Sequence, residues 1–135
     1  DENSYFRYKF HPRLIKSTSE DAYYNFFVLQ DIKLDFIFID GDHSYEGVKK
    51  DFELYSTLLT DKGIIVIHDT DSDYEEKLIV SEDAKKDHHR FDGPSKFIKE
   101  LEKNPSFNLI NLFNFGILPN KPSSSGITVI NKKNG

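Results

Sequence analysis

At 135 residues the chain is long enough for one domain of ordinary size and too short for two. Its 18 Lys and Arg against 23 Asp and Glu leave a net charge of -5 at pH 7, which argues against a nucleic-acid surface as the main partner. No apolar run is long enough to span a membrane, no charged-then-apolar leader is read at the start, and cysteine is absent, so disulfides and thiol chemistry are excluded and a cytoplasmic setting is expected.

Asp1 to Pro12 is polar and aromatic, with Pro12 stopping any regular element. Arg13 to Ser17 is a short strand candidate. Thr18 or Ser19 can cap a helix with Glu20 and Asp21 in its first turn and an apolar stripe of Tyr23, Phe26 and Phe27, ending near Gln30. Leu34 to Ile39 is apolar at five of its six positions without alternation, as in a strand buried on both faces, and it stops at Asp40, Gly41 and a cluster of ionisable side chains. From about Tyr45 to Leu59, the residues Val48, Phe52, Tyr55 and Leu59 are spaced as one face of a helix. Asp61, Lys62 and Gly63 read as a turn into a second apolar strand, Gly63 to Ile67, which ends at His68 and Asp69.

Strand, helix, strand is a right-handed crossover, so the two strands are expected to lie parallel with their C-terminal ends on one edge. As neighbours they would be about 4.8 Å apart. Asp40, His68 and Asp69 would then converge where open α/β sheets bind ligands. Thr70 to Asp92 loses the pattern in a charged stretch, read as a lid or loop. Pro94 suits the first turn of a helix through Phe97, Ile98 and Leu101, and two strands near Phe107 to Phe113 and Gly126 to Ile130 make an antiparallel closing pair.

Several residues have an ordinary reading beside a chemical one. A lone Asp at a strand end commonly begins a turn or caps a helix, but two on adjacent parallel strands, with an imidazole, suit a divalent ion such as Mg or Mn. A histidine can serve as a general base near neutral pH, so His43 can take a proton from a hydroxyl, or it can simply bond to backbone at a helix start. Tyr45 reads as a packing residue and Asp51 as an exposed or capping carboxylate. The pair His88 and His89, beside Lys85, Lys86 and Arg90, reads as a charged loop.

The block IDGDHSYEGVKKDFELYSTLLTDKGIIVIHDT resembles the centre of class I S-adenosylmethionine-dependent methyltransferases, in particular the macrocin-type sugar O-methyltransferases and cephalosporin-hydroxylase-like proteins. That family's strand ending in IDG-x-H-x-Y, helix carrying V-x-x-D, turn ending in Gly and strand ending in HD are matched by Asp40, Gly41, His43, Tyr45, Val48, Asp51, Gly63, His68 and Asp69. The resemblance implies a Rossmann-like α/β fold, a three-layer sandwich with a mostly parallel sheet and a C-terminal antiparallel hairpin. It implies S-adenosylmethionine as cofactor, with Ser19, Glu20, Asp40 and Gly41 as contacts. It also implies a metal held by Asp40, His68 and Asp69, and His43 as the base that activates a hydroxyl of a small polar acceptor such as a sugar.

The family's glycine-rich loop and the acidic residue after its second strand should precede Arg13, yet the first glycine is Gly41, and methionine is absent. The expectation is therefore one partial methyltransferase domain over residues 1–135, with its N-terminal strands missing. Such a protein would work on a small-molecule substrate, without nucleic acid or membrane, and is compatible with a homo-oligomer. Two readings of other classes stand beside it: a metal-dependent hydrolase using the same Asp and His residues, and a non-catalytic binding or assembly remnant of the fold.

Overall fold

The computed structural model describes residues 13–71, 92–113 and 126–133. Within them lie three α-helices, α1 (Ser19–Ala22), α2 (Tyr45–Tyr55) and α3 (Gly93–Leu101), and four strands, β1 (Leu34–Ile39), β2 (Leu59–His68), β3 (Phe107–Leu112) and β4 (Ile127–Lys132).

Thr18 caps α1, its hydroxyl oxygen accepting from the Asp21 amide at 3.1 Å, with Glu20 and Asp21 complementing the helix dipole in the first turn. The helix then widens into a π-helical turn, Tyr23–Val28, closed by the Ile32 amide donating to the Phe27 carbonyl at 3.0 Å. The wider turn accommodates a run of rings that meet edge to face, with centroids 4.9 Å apart for Tyr23 and Tyr24 and 5.2 Å for Phe26 and Phe27. Arg13 to Ser17, expected as a strand, is irregular. It leads directly into the Thr18 cap, and its lone apolar pair includes Leu14, whose side chain is almost fully exposed, so nothing holds it to a sheet.

The sheet order is β1-β2-β4-β3, with β1 parallel to β2 and the β3–β4 hairpin antiparallel and inserted beside β2. The crossover and the closing hairpin thus stand as expected, and β2 has a partner on each side. The expected turn at Asp61 to Gly63 is instead a bulge inside β2. Leu34 pairs with Leu59 and Phe36 with Ile64, so the intervening residues of β2 loop out between two ladder positions. Side chains fasten the bulge from both sides: Thr60 donates to the Asp35 carboxylate at 2.7 Å, and Lys132 Nζ donates to the Leu59 carbonyl at 3.0 Å.

Helices α2 and α3 cover one face of the sheet. Ser44 caps α2, accepting from the Gly47 amide, and the helix buries Val48 and Phe52; α3 opens with Pro94 in its first turn and buries Phe97, Ile98 and Leu101. These side chains meet Ile37, Ile39, Ile65, Ile67 and Ile130 from the sheet in one core. On the surface, Lys49 of α2 donates to Glu100 of α3 at 2.8 Å, and Tyr45 also bonds Glu100. These hydrogen bonds, to Glu100 first and then Tyr45, hold the Lys49 ammonium well above its usual range, and they hold the Glu100 carboxyl below its own. The opposite sheet face carries Phe36, Phe38, Ile110 and Leu112, all exposed, and the row Phe38, Val66, Val129, Ile110 crosses all four strands.

Candidate active site

β1 and β2 run parallel, so their C-terminal ends deliver Asp40, His68 and Asp69 to one edge, as the crossover requires. The loop from Asp40 to Ser44 adds His43. Asp42 shapes that loop by accepting the Ser44 amide at 2.9 Å, a turn that also presents Ser44 to cap α2. His43 Nε2 lies 3.0 Å from an Asp69 oxygen and 3.5 Å from Asp40 Oδ1. On the other side, His68 Nδ1 is 3.1 Å from Asp69 Oδ1 and 3.3 Å from the same Asp40 Oδ1, as ion-pair contacts rather than directed hydrogen bonds. Two carboxylates are thereby bracketed by two imidazoles, and a proton on either ring supplies the positive charge that the paired carboxylates need.

Ligand atoms of Asp40, His43 and Asp69 all lie within 4.8 Å of one another, close enough to converge on one cation. Asp40 and Asp69 were expected together, and they are. That set takes its imidazole from His43, while His68, the imidazole that the resemblance implied as a ligand, stands 3.1 Å from Asp69 and 3.3 Å from Asp40. Asp69 also adopts φ 57, the left-handed region that non-glycine residues rarely occupy, and this turns the chain sharply at the strand end.

Beside this cluster a cavity of about 280 Å³ is lined by Ser19, Ile37, Asp40, Gly41, Asp51 and Tyr55 among others. Ser19, Asp40 and Gly41, three of the expected cofactor contacts, therefore share one cavity. Glu20 does not line the cavity; its carboxylate meets Lys50 Nζ at 2.6 Å. Two residues read from the sequence as an ordinary helix carboxylate and a helix apolar position hold the cavity wall. Asp51 accepts from the Ser19 hydroxyl at 2.5 Å, and Tyr55 donates to the Ser19 carbonyl at 2.8 Å. Burial, then the Asp51 charge, pushes the Tyr55 phenol up. Both contacts span more than thirty residues, so no local spacing announces them; the V-x-x-D pattern was the single signal for Asp51. Tyr45 faces α3 and packs edge to face on Phe97, in keeping with a packing role. The lid expected from Thr70 to Asp92 and the His88-His89 pair lie outside the described residues, save Thr70, Asp71 and Asp92.

A family profile described as "Methyltransferase domain" matches residues 3–70, half of the chain. Among solved structures, a protein assigned as a caffeoyl-CoA O-methyltransferase from Staphylococcus aureus is similar with TM-score 0.65 at 18% identity over 98% of this chain and 56% of that one. The SAH-bound methyltransferase PaMTH1 from Podospora anserina gives 0.60 at 18% identity over 97% and 53%. An O-methyltransferase from Bacillus cereus in complex with SAH gives 0.52 at 22% identity over 76% and 41%. The chain thus spans about half the length of the solved structures it matches, and these likenesses establish its fold as a portion of the Rossmann-like methyltransferase fold. No curated protein matches the sequence. Among the described residues, no helix is long and apolar enough to cross a membrane.

Proposed function

The chain belongs to the methyltransferase-domain family, and from that premise we propose that the protein transfers a methyl group from S-adenosylmethionine to a hydroxyl oxygen of a small polar acceptor, a sugar hydroxyl being the class that the sequence resemblance favours. The observation that carries this reading is the double position of Asp40, which lines the cavity and also belongs to the Asp-His cluster. A ligand in the cavity and an acceptor at the cluster would be neighbours, and neighbourhood is most of what an in-line displacement asks of a protein.

S-adenosylmethionine, when bound, supplies a methyl group on a positively charged sulfur. Ser19, oriented by Asp51 and Tyr55, and the backbone at Gly41 form a wall that would hold the cofactor. His43 receives the proton of the acceptor hydroxyl, and Asp69, 3.0 Å from its Nε2, stabilises the imidazolium that results. Two carboxylates and an imidazole also fit a hard or borderline divalent ion such as Mg or Mn, whose charge, when present, makes a neighbouring hydroxyl more acidic. For that ion we assign Asp40, Asp69 and His68, which leaves His43 for the proton.

The test uses the full-length protein, methyl-labelled S-adenosylmethionine and a panel of hydroxylated small molecules, with and without chelator. Stoichiometric cofactor binding and label recovered on an acceptor oxygen are expected. Failure of the full-length protein to bind the cofactor would overturn the reading, and turnover indifferent to chelation would remove the ion from it.

A further inference from the structure

The residue that follows Asp69 is held by a buried polar chain that the site chemistry above does not use. Thr70 is 2% exposed and Thr128, on β4, is 0% exposed. Thr128 Oγ1 lies 2.9 Å from Thr70 Oγ1 and 2.8 Å from Asn111 Oδ1, and Asn111 Nδ2 lies 2.9 Å from Glu102 Oε1. A carboxylate only accepts, so the Asn111 nitrogen faces Glu102 and its oxygen faces Thr128. Thr128 has one proton, and Asn111 offers it nothing but an acceptor. That proton therefore goes to Asn111, and the Thr128 oxygen accepts the hydroxyl proton of Thr70. Every donor in the chain is fixed in direction, from the end of β2 across β4 to β3 and out to Glu102.

A second contact closes on the same point. Gly126 has φ 81 and lies so near Asp71 that a Cβ on it would come within 2.7 Å of the Asp71 Cβ. The backbone on the far side of Thr70 is thus backed by the start of β4, while on the near side Asp69 occupies its unfavourable left-handed conformation. Such a conformation persists only where its surroundings determine it, and the anchored Thr70 is the residue next to it in the chain.

We propose that Thr128 is a positioning residue of the site: by accepting the Thr70 hydroxyl while donating to Asn111, it holds Asp69 with its carboxylate against His43 and His68. The proposal rests on the reading that Asp69 serves methyl transfer, but its geometric half can be measured without turnover. In the full-length protein, Thr128→Val keeps the shape and removes the hydroxyl, and Thr128→Ser restores it. The imidazole NMR signals of His43 and His68 are expected to move in Thr128→Val and to return in Thr128→Ser. Turnover at saturating cofactor is expected to fall about 10- to 100-fold and to recover, with cofactor affinity changed less than about 3-fold. If Thr128→Val does not fold, Asn111→Leu on the outer strand β3 removes the acceptor that directs the Thr128 proton, and the same shifts are expected. Unmoved histidine signals overturn the proposal, and so do equal losses in the Val and Ser variants. Moved signals in a protein that transfers no methyl group would uphold the positioning and fault the function instead.

Discussion

Gly93, the first residue of α3, sits directly on the backbone of the loop that carries His43: a Cβ placed on it would come within 2.3 Å of the His43 carbonyl oxygen and 2.3 Å of the Tyr45 amide. The contact seats the His43 loop against α3, which is itself locked into the core by Phe97 and Ile98. Gly93→Ala is expected to destabilise the protein by about 1–3 kcal/mol through overpacking, and to displace His43. Denaturant unfolding together with the His43 NMR signal checks this. A variant as stable as the parent with an unshifted signal would show that the loop gives way freely.

Removing the imidazole at the cluster should separate chemistry from binding. His43→Ala is expected to lower turnover about 10²- to 10⁴-fold, the usual share of a positioned acid or base, while calorimetry shows cofactor affinity little changed. Asp69→Ala should behave alike and should also abolish any sensitivity to chelator. Retention of full rate by His43→Ala would take the proton away from that residue.

On the cavity side the opposite split is expected. Asp51→Ala frees the Ser19 hydroxyl from its 2.5 Å bond and loosens the wall of the cavity. Loss of one such contact is worth about 1 kcal/mol, or roughly 5-fold in the dissociation constant of S-adenosylmethionine. Turnover at saturating cofactor should be preserved. A calorimetric titration in which Asp51→Ala binds as tightly as the parent would show that the cofactor rests elsewhere.

Tyr55 links stability to pH. Its phenol is raised above the ordinary tyrosine range, by burial and then by Asp51, so the folded state favours the protonated form. That contribution is complete below the unfolded value of about 10 and is lost as pH rises through the raised value. Tyr55→Phe removes the bond to the Ser19 carbonyl and should cost about 1 kcal/mol at pH 7. Above pH about 10 the parent falls and the variant does not, so the gap between their unfolding midpoints should narrow. A gap that is constant up to pH about 11 would mean the phenol is as free to ionise folded as unfolded.

The parts of the fold legible in the sequence are those whose signal is local and apolar. The apolar runs at Leu34 to Ile39 and Gly63 to Ile67 name neighbouring strands, and Pro94 names a helix start, because a nearly continuous apolar stretch and a missing N–H leave few alternatives. Burial of Leu34 to Ile39 on both faces, expected from the same run, does not hold, since Phe36 and Phe38 are exposed. Asp40 and Asp69 came with the strands, since a parallel pair fixes where its ends lie. What was hidden depends on partners far along the chain. Asp61 to Gly63 has turn composition, yet Asp35 and Lys132 hold it as a bulge. Asp51 looks like an ordinary helix carboxylate until Ser19 is brought to it. The π-helical turn sets its rings against one another and Phe27 against Tyr55, a partner that no period of 3.6 residues records.

The unequal footing of the two cluster carboxylates has a consequence for amide hydrogen exchange. Asp69 follows a strand bonded on both sides, whose Ile65 and Ile67 are fully buried, whereas Asp40 follows β1, which among the described residues pairs on one side alone. The amides of β2 should exchange near the rate of global unfolding, and those of β1 faster, through openings that release Asp40 but not Asp69. A cation or cofactor that engages both strand ends would close those openings. Protection gained on ligand addition should therefore appear on Phe36 to Ile39 and be nearly invisible on Ile65 to Ile67.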